Sequence, residues 1–342
     1  MSLARRAVIL HDPVAADAGP DDQDILVQVA TVDAALTSAG WSTQRLAFTE
    51  DLDQLRSALQ THKPNLVFNL VETLRGGGQL IHLAPMLLAE LSMPFTGADQ
   101  DAMYLTSNKL ISKHLLRVDG MPTPDWDEEG NNLQQGPWIV KSVWEDASFA
   151  LDDDALVAEP CLLQERLLQR RQEYGGRWFA ECYVPGREFN VAMLEHNGEC
   201  LVLPIAEICF EDFPAELPHI VGYRAKWDSS SFEYTHTVRR FVDPIIEAQL
   251  LARLTTLARQ CWHLFKLRGY ARVDFRVDEQ GQPWILEVNA NPCLSPDAGF
   301  AAALQMAEID LHTAINDIVR ATPTTAENHG GDYNPVPLKR RA

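Results

Sequence analysis

Hydrophobic and polar positions alternate between strand-like and helix-like periods along the first hundred residues. Short apolar runs predict strands at residues 7–10, 41–48, 65–70 and 94–95. Apolar residues at helical spacing predict helices at residues 25–39, closed by Gly40, and at 78–91. This βαβ order predicts a small doubly wound domain at the start of the chain.

The middle of the chain has a different order of elements, which predicts a separate α+β unit. Its predicted elements are helices at 107–118 and 152–158, strands at 138–141, 162–164 and 178–184, and a polar loop at 125–136. Beyond residue 187 the pattern predicts long strands, a helix at 243–267, a hairpin, and a final helix at 298–320. The last twenty residues are rich in Pro, Thr, Gly and Asn, which predicts a flexible tail.

Composition and charge narrow the classes of function. With 342 residues, 46% hydrophobic and 23% charged, the chain fits a soluble protein of two or three domains. Its formal charge of -19 opposes binding to nucleic acid or to an anionic membrane surface. A phosphate ligand would therefore need a few placed Lys or Arg residues, a helix N-terminus or bound divalent cations.

The cysteines indicate the compartment. The 6 cysteines are scattered, with no C-x-x-C pair, and are typical of reduced thiols. The apolar run near the N-terminus is too short for a signal sequence, and no apolar run approaches the length of a membrane span. We expect a cytoplasmic protein.

The hairpin near the C-terminus carries the candidate chemistry. Residues 272–276 alternate polar and apolar positions, 284–289 do so in part, and the segment between them is typical of a turn. A four-residue loop that pairs Asp278 with Pro283 would set Asp274 opposite Glu287 and Arg272 opposite Asn289. Two carboxylates on opposite residues, with Cβ atoms ~5 Å apart, repel unless a cation lies between them, and Asp, Glu and Asn oxygens suit magnesium. The alternative is a solvated hairpin face that carries these charges by chance.

The motifs around this hairpin resemble those of the D-alanine–D-alanine ligases and related ATP-grasp enzymes. The resemblance is most specific in GYARVDF at 269–275 followed by LEVNANP at 286–292. Upstream, it extends to PGREFNVA at 185–192, LPI at 203–205 and YRAKW at 223–227. The motifs occur in the same order as in the family, and the resemblance covers roughly residues 7–315.

The resemblance implies an ATP-grasp fold of mixed α/β and α+β class. It places a Rossmann-like substrate domain at 1–106, a central ATP-grasp subdomain with a phosphate lid loop at 107–186, a C-terminal ATP-grasp subdomain with the metal site at 187–320, and a flexible tail at 321–342.

It also implies the cofactor site, with ATP and two Mg²⁺ ions, for which Mn²⁺ can substitute. The implied metal ligands are Asp274, Glu287 and Asn289. The implied ATP contacts are Lys109 and Lys141 for the α and β phosphates, Lys226 for the γ phosphate, Glu181 for the adenine amino group, Val184 for the ring through its backbone, and Glu188 for the ribose. Arg272 and the backbone N–H near Cys293 would hold the oxyanion of a tetrahedral intermediate.

The lid departs from the family pattern. The family's lid is rich in glycine and serine, whereas residues 141–148 contain no glycine. Ser148 remains a candidate hydrogen-bond donor to phosphate. Bulky Trp144 and acidic Asp146 indicate a lid shaped for a different second substrate.

The substrate positions depart as well. Glu72 stands where the family has histidine, and either binds a cationic amine or caps the helix beginning near Gly78. Asp22 lies about where the family places a glutamate for the first substrate's amino group, and Trp227 replaces a tyrosine. Cys293 replaces a glycine, and we interpret its thiol as incidental. Ser295 either binds the acceptor's carboxylate or, with Asp297, caps the next helix.

These features predict an ATP- and Mg²⁺-dependent carboxylate–amine ligase that joins an amino acid or small peptide to an amine through an acyl phosphate. The alternatives are a ligase for a carboxylate that is not an amino acid, and a nucleotide-binding regulatory protein without turnover. The partners are small-molecule substrates. The resemblance also allows a homodimer, although no sequence feature marks an interface.

Overall fold

The computed structural model describes residues 5–15, 18–131, 136–145, 148–214 and 216–323, without the side chains of 20–22 and 153. Most of the predicted tail therefore lies outside the described residues.

A three-stranded parallel sheet of order β2–β1–β3 forms the first part of the chain. Helix α2 begins at Asp51, whose side chain accepts a hydrogen bond from the N–H of Gln54, and ends at Lys63 in the left-handed conformation. The elements are β1 (Arg5–His11), α1 (Pro20–Ser38), β2 (Trp41–Ala47), α2 (Leu52–His62), β3 (Leu66–Asn69) and α3 (Leu83–Glu90).

An antiparallel sheet of order β4–β7–β5–β6 forms the middle part. Two helices precede it and meet at Asn108, whose side chain accepts from the N–H of Ile111 and so begins the second helix. The elements are α4 (Gln100–Ser107), α5 (Lys109–Val118), β4 (Trp126–Asp127), β5 (Trp138–Ser142), β6 (Leu156–Val157), α6 (Leu163–Tyr174) and β7 (Trp178–Cys182).

The largest sheet is antiparallel, with the order β11–β10–β8–β12–β13 and with β9 paired to β8. Its strands are β8 (Arg187–His196), β9 (Glu199–Val202), β10 (Ala206–Phe210), β11 (Thr237–Phe241), β12 (Tyr270–Val277) and β13 (Pro283–Asn289). Its helices are α7 (Tyr223–Trp227), α8 (Phe232–His236), α9 (Ala248–Leu264), α10 (Gly299–Met306) and α11 (Leu311–Arg320).

Two hydrophobic clusters join these parts. Met103 of α4 and Leu116 of α5 are buried with Val273 and Phe275 of β12, so both helices pack on the large sheet. Val29 of α1 is buried in a second cluster with residues of β8 and α11. This packing brings the start of α5 and the end of β1 to the same region as the β12–β13 hairpin.

Several predicted elements need correction. The predicted strand at 162–164 is wrong, because Leu163 begins α6 and is buried with Leu167 and Arg170 at helical spacing. The predicted helix at 152–158 is only a 3₁₀ turn at Asp153–Ala155, followed by β6. At 94–95 the structure has a single bridge between Phe95 and Val67 rather than a strand.

The helix boundaries also differ from the predicted ones. The final helix is two helices, α10 and α11, and the stretch at 78–91 begins as a 3₁₀ turn before α3. Helix α9 is shorter than the predicted 243–267, and α2 and α4 were not predicted.

The hairpin register is confirmed at its functional end and wrong at its turn. Asp274 pairs with Glu287 and Arg272 with Asn289, as predicted. Pro283, however, pairs with Val277 rather than with Asp278, and an irregularity beyond Asp274 restores the register. In the part of the chain described, no helix has the length and apolar character needed to cross a membrane.

Candidate active site

Asp274 lies on the sheet face that also carries Arg272 and Asn190. The carboxylate of Asp274 accepts hydrogen bonds from Arg272 Nε at 2.8 Å and Nη2 at 2.9 Å, and from Asn190 Nδ2 at 2.7 Å. Burial raises the pKa of Asp274, although the charge of Arg272 opposes this shift. The carboxylate is therefore held in place by two donors, one of them cationic.

Glu287 faces Asp274 and is surrounded by cations from three different elements. Its Oε2 lies 3.8 Å from Lys109 Nζ of α5, and its Oε1 lies 4.0 Å from Arg272 Nη2. Burial opposes its ionisation, but Lys109, Arg272 and Lys141 of β5 lower the pKa of Glu287 to about 2. These charges keep the side chain ionised.

The donor set fits a hard divalent cation. Two carboxylates and the amide of Asn289 share one face, and their oxygens are the ligands that Mg²⁺ prefers. The Oδ1 atom of Asn289 is oriented by the N–H of Asn291, which donates to it at 3.0 Å. Across the described ranges, no group of three or more His, Cys, Asp or Glu side chains offers another metal site.

The three lysines singled out from the sequence have different surroundings. Lys109 is buried, and its ammonium donates to the backbone carbonyl of Glu145 at 2.8 Å. Lys141 lies 2.5 Å from Glu181 Oε1. Lys226 is exposed on α7, 5.3 Å from the centre of the Trp227 ring, and forms no ion pair with the other described residues. The structure thus brings Lys109 to Glu287 and Lys141 to Glu181, while a γ-phosphate contact of Lys226 stays a prediction.

Glu181 is held between two lysines. It is only 1% exposed, and its Oε2 lies 2.5 Å from the ammonium of Lys113, a residue not predicted from the sequence. Burial opposes ionisation, but the charges of Lys113 and Lys141 lower the pKa of Glu181. Both carboxylate oxygens are therefore engaged, and a contact with an adenine amino group stays a prediction.

Glu188 and Val184 are both bonded to Arg276. The guanidinium of Arg276 donates to Glu188 Oε2 at 3.2 Å and to the carbonyl of Val184 at 3.0 Å. Burial raises the pKa of Glu188, against the charge of Arg276. Arg276 thus fixes two residues that the resemblance assigns to ribose and adenine.

The first half of the lid lies on the glycine run of the N-terminal domain. The N–H of Gly78 donates to Glu145 Oε2 at 3.1 Å, and an added Cβ on Gly78 would lie 2.3 Å from the carbonyl oxygen of Trp144. The Trp144 ring is buried, 5.7 Å from that of Tyr104. The N–H of Gly78, where this helix begins, is therefore bonded to Glu145, and a capping role for Glu72 stays a prediction.

The second half of the lid is bonded to the segment before α7. Ser148 donates its hydroxyl to the carbonyl of Val221 at 2.6 Å, and the N–H of Tyr223 donates to Leu151 at 3.2 Å. The hydroxyl of Ser148 is thus bonded within the protein, and its role toward a phosphate stays a prediction. Asp146 lies outside the described residues.

An acidic cluster joins α1 to the loop after β13. Gln28 Nε2 donates to Glu72 Oε1 at 2.9 Å. Ser295 Oγ donates to Asp24 Oδ1 at 2.6 Å, and Cys293 Sγ lies 3.0 Å from Asp24 Oδ2. This cluster contains the predicted substrate residues Glu72 and Ser295. The side chain of Asp22, two residues before Asp24 on α1, lies outside the described set.

The structure tests one of the roles predicted for this loop. The cap of α10 is Ala298, with no side-chain hydrogen bond, so the capping role predicted for Ser295 and Asp297 is wrong. Burial, followed by the charges of Glu72 and Asp24, raises the pKa of the Cys293 thiol far above its usual range. The backbone N–H of Cys293 has no acceptor among the residues described.

Sequence reasoning missed residues that support the predicted ones. Lys113 follows Lys109 by one helical turn, and Arg276 continues the alternation of Arg272 and Asp274 along β12, so both positions carried a periodic signal. Asp24 carried no such signal, because Cys293 and Ser295, its partners in the loop after β13, are more than 200 residues away.

Comparison with known proteins identifies related sequences. The family model for the D-ala D-ala ligase C-terminus matches residues 121–320. An uncharacterized protein, y4sG, of Sinorhizobium fredii is 33% identical over 261 residues, covering 74% of this chain and 73% of that protein. A D-alanine–D-alanine ligase of Methylococcus capsulatus is 29% identical over 291 residues, covering 81% of this chain and 86% of that protein.

Solved structures share the fold over almost the whole chain. D-alanine–D-alanine ligase from Bacillus anthracis, complexed with ATP, has a TM-score of 0.70 at 19% identity and covers 96% of this chain and 100% of that chain. D-alanyl-alanine synthetase A from Vibrio cholerae has a TM-score of 0.71 at 15% identity, covering 94% and 99%. The ATP-grasp fold expected from the sequence is confirmed.

Proposed function

The chain belongs to the D-alanine–D-alanine ligase family, and from this premise we propose that it joins a carboxylate to an amine with ATP and Mg²⁺. In the proposed reaction, an oxygen of the acid attacks the γ phosphorus of ATP and ADP leaves. The amine then attacks the carbonyl carbon of the acyl phosphate, and an amide forms as phosphate leaves and the amine loses a proton.

The convergence of cations on Glu287 supports this proposal most strongly. Lys109, Lys141 and Arg272 come from α5, β5 and β12, and together they lower the pKa of this one carboxylate. An excess of positive charge beside two facing carboxylates is what a polyphosphate bound through a metal requires. A structural ion pair would need only one of these cations.

Asp274, Glu287 and Asn289 would hold two Mg²⁺ ions in the proposed site. When bound, magnesium neutralises charge on the transferred phosphoryl group. Lys109 and Lys141 bind the α and β phosphates, and Lys226 reaches the γ phosphate from α7. Arg276 positions Glu188 for the ribose and the backbone of Val184 for the adenine ring, while Glu181 orients Lys141.

The oxyanion formed by attack of the amine needs fixed donors. Arg272 lies beside Asp274, and the N–H of Cys293 follows two residues after Asn291 in the same loop. Preorganised donors of this kind contribute ~3 kcal/mol each to the transition state. We assign this role to Arg272 and the Cys293 backbone, with the thiol playing no part.

The substrates lie between the acidic cluster and the lid. Asp22 and Glu72 suit the amino group of an amino acid or small peptide, while Trp227 and Ser295 shape the acceptor side. Ser148 holds the lid to Val221. Free thiols at all six cysteines suit the cytoplasm as the site of action, and a homodimer stays a prediction.

The test is magnesium-dependent release of ADP from ATP across a panel of amino acids and dipeptides, each offered alone and in pairs. Release that requires one acid and one amine, and yields an amide by mass spectrometry, is the expected result. ATP binding without stimulated release by any pair, extended to acids that are not amino acids, would support a nucleotide-binding regulator instead.

A further inference from the structure

Glu181 shares its single negative charge between two ammonium groups. Lys113 of α5 and Lys141 of β5 each lie 2.5 Å from one of its oxygens. The three side chains therefore carry one net positive charge. Because Glu181 lies on β7, this positive charge is located where α5 meets the strands β5 and β7.

The two ends of this triad differ in exposure. Lys113 is 1% exposed, and besides its ion pair with Glu181 it donates to Thr123 Oγ1 at 2.8 Å and to the carbonyl of Pro124 at 3.4 Å. The Lys141 side chain is 16% exposed, and Glu181 is its sole ion-pair partner in the described ranges. The closed end is thus Lys113, and the open end is Lys141.

Lys113 is itself tied to the metal-site hairpin. The hydroxyl of Thr123, which accepts from Lys113, donates to the carbonyl of Ile285 at 2.9 Å, and Ile285 lies two residues before Glu287 on β13. At the other end, the carbonyl of Val143, two residues after Lys141, accepts from the N–H of Lys109 at 3.0 Å, and the ammonium of Lys109 lies 3.8 Å from Glu287 Oε2. The open end of the triad is therefore next to the lysine that contacts the proposed metal site.

We propose that Lys113 is a positioning residue whose ammonium neutralises Glu181 and so leaves the positive charge of Lys141 for the phosphates of ATP. Without Lys113, Glu181 and Lys141 would form a neutral one-to-one pair, and phosphate would compete with Glu181 for Lys141. This inference deepens the proposed function and rests on it.

Charge rescue tests this role. Lys113→Met keeps chain length and removes the charge, and Lys113→Met combined with Glu181→Gln restores the net charge of the triad. Glu181→Gln alone is the reference for the double variant, because both lose any contact of Glu181 with adenine. Lys266→Met, at an exposed lysine without an ion pair among the described residues, is the matched control. The dissociation constant of Mg-ATP is measured by calorimetry, and folding by circular dichroism and thermal unfolding.

We expect Lys113→Met to bind Mg-ATP about tenfold more weakly than the unaltered protein, which is about 1.4 kcal/mol. The double variant should bind within about threefold of Glu181→Gln alone. The control should be unchanged. Unchanged binding in Lys113→Met, or an equal loss from Lys113→Met in the Glu181→Gln background, overturns the proposal, because the effect of a purely structural lysine does not depend on the charge of Glu181.

Two further outcomes are decisive. If Lys113→Met does not fold, the double variant should still bind Mg-ATP within about threefold of Glu181→Gln alone, and weaker binding contradicts the proposal. If the unaltered protein does not bind Mg-ATP, the proposed function falls and this inference with it. Rescue failure in a protein that binds Mg-ATP overturns only the role of Lys113.

Discussion

Asp274 lies directly opposite Glu287 on the antiparallel strands β12 and β13. The two carboxylates have opposite pKa shifts: burial raises that of Asp274, while the surrounding cations lower that of Glu287 to about 2 against the effect of burial. The pair is stable as it stands because Arg272 bonds to Asp274 and Lys109 lies near Glu287. A divalent cation would add a shared partner.

Isosteric substitution of this pair should remove metal-dependent turnover. Asp274→Asn and Glu287→Gln each keep side-chain size but remove a charge. We expect turnover to fall at least about 100-fold, which exceeds the usual loss for residues that only support the metal ligands. Mn²⁺ bound in the ATP complex, counted by electron paramagnetic resonance, should fall in parallel. Glu199→Gln, at an exposed position on β9, is the control. Full Mn²⁺ binding in both variants would remove these residues from the metal site.

Gly78→Ala should destabilise the contact between the glycine run and the lid. Its Cβ would lie 2.3 Å from the carbonyl of Trp144, and overpacking of this kind costs about 1–3 kcal/mol. Gly76→Ala, where nothing lies within 4 Å, carries only the strain of its positive φ of 73°. Urea unfolding should show the larger loss for Gly78→Ala. Equal losses in the two variants would mean that the lid does not rest there.

The thiol of Cys293 should be inert. Burial and two nearby carboxylates raise its pKa, so the reactive thiolate is scarce at neutral pH. Alkylation with iodoacetamide at pH 8, followed by peptide mass spectrometry, should label the exposed Cys161 well before Cys293. Cys293→Ser should keep activity within about tenfold, below the cost of losing an oxyanion donor. Rapid labelling of Cys293 would contradict this account.

The stability of the fold should fall between weakly acidic and weakly basic pH because of Asp12. Burial, followed by the charge of Glu72, raises the pKa of Asp12 to about 8 from an ordinary value of 3.8. A raised pKa means that the folded state holds a proton that the unfolded state has lost, so stability decreases as pH rises from about 4 through about 8.

Asp12→Asn should remove this pH dependence. The amide oxygen can still accept from the N–H groups of Glu72 and Thr73. Between pH 5 and pH 8, the free energy of unfolding should fall in the unaltered protein. In the variant this fall should be smaller by at least about 1 kcal/mol. Parallel pH profiles from urea titrations would show that Asp12 is ionised in the folded protein.

Sequence periodicity was enough to predict the hairpin because strand alternation fixes which side chains share a face. Asp274, Glu287 and Arg272 therefore fell on one face even though the predicted turn was off by one residue. The irregularity beyond Asp274 could not be predicted, since it compensates for the turn only in the folded sheet. In the same way, α6 was misread as a strand at 162–164 because three residues are too few to distinguish the two periods.

Contacts between distant segments escaped prediction for a different reason. Lys113 and Glu181 are 68 positions apart, and only the packing of α5 on the large sheet and the pairing of β5 with β7 bring them together. The contact of Gly78 with Glu145 likewise depends on how the lid lies on the first domain. Local periodicity has no information on such distances.

The central claim is that a substrate carboxylate takes the γ phosphoryl group of ATP, and isotope transfer tests it most directly. The acid substrate found in the ADP-release panel is labelled with ¹⁸O in its carboxylate, and the phosphate product is analysed by mass spectrometry. The account predicts that one ¹⁸O atom of the acid appears in each phosphate released. Phosphate that carries none of the label, released together with amide, would contradict it.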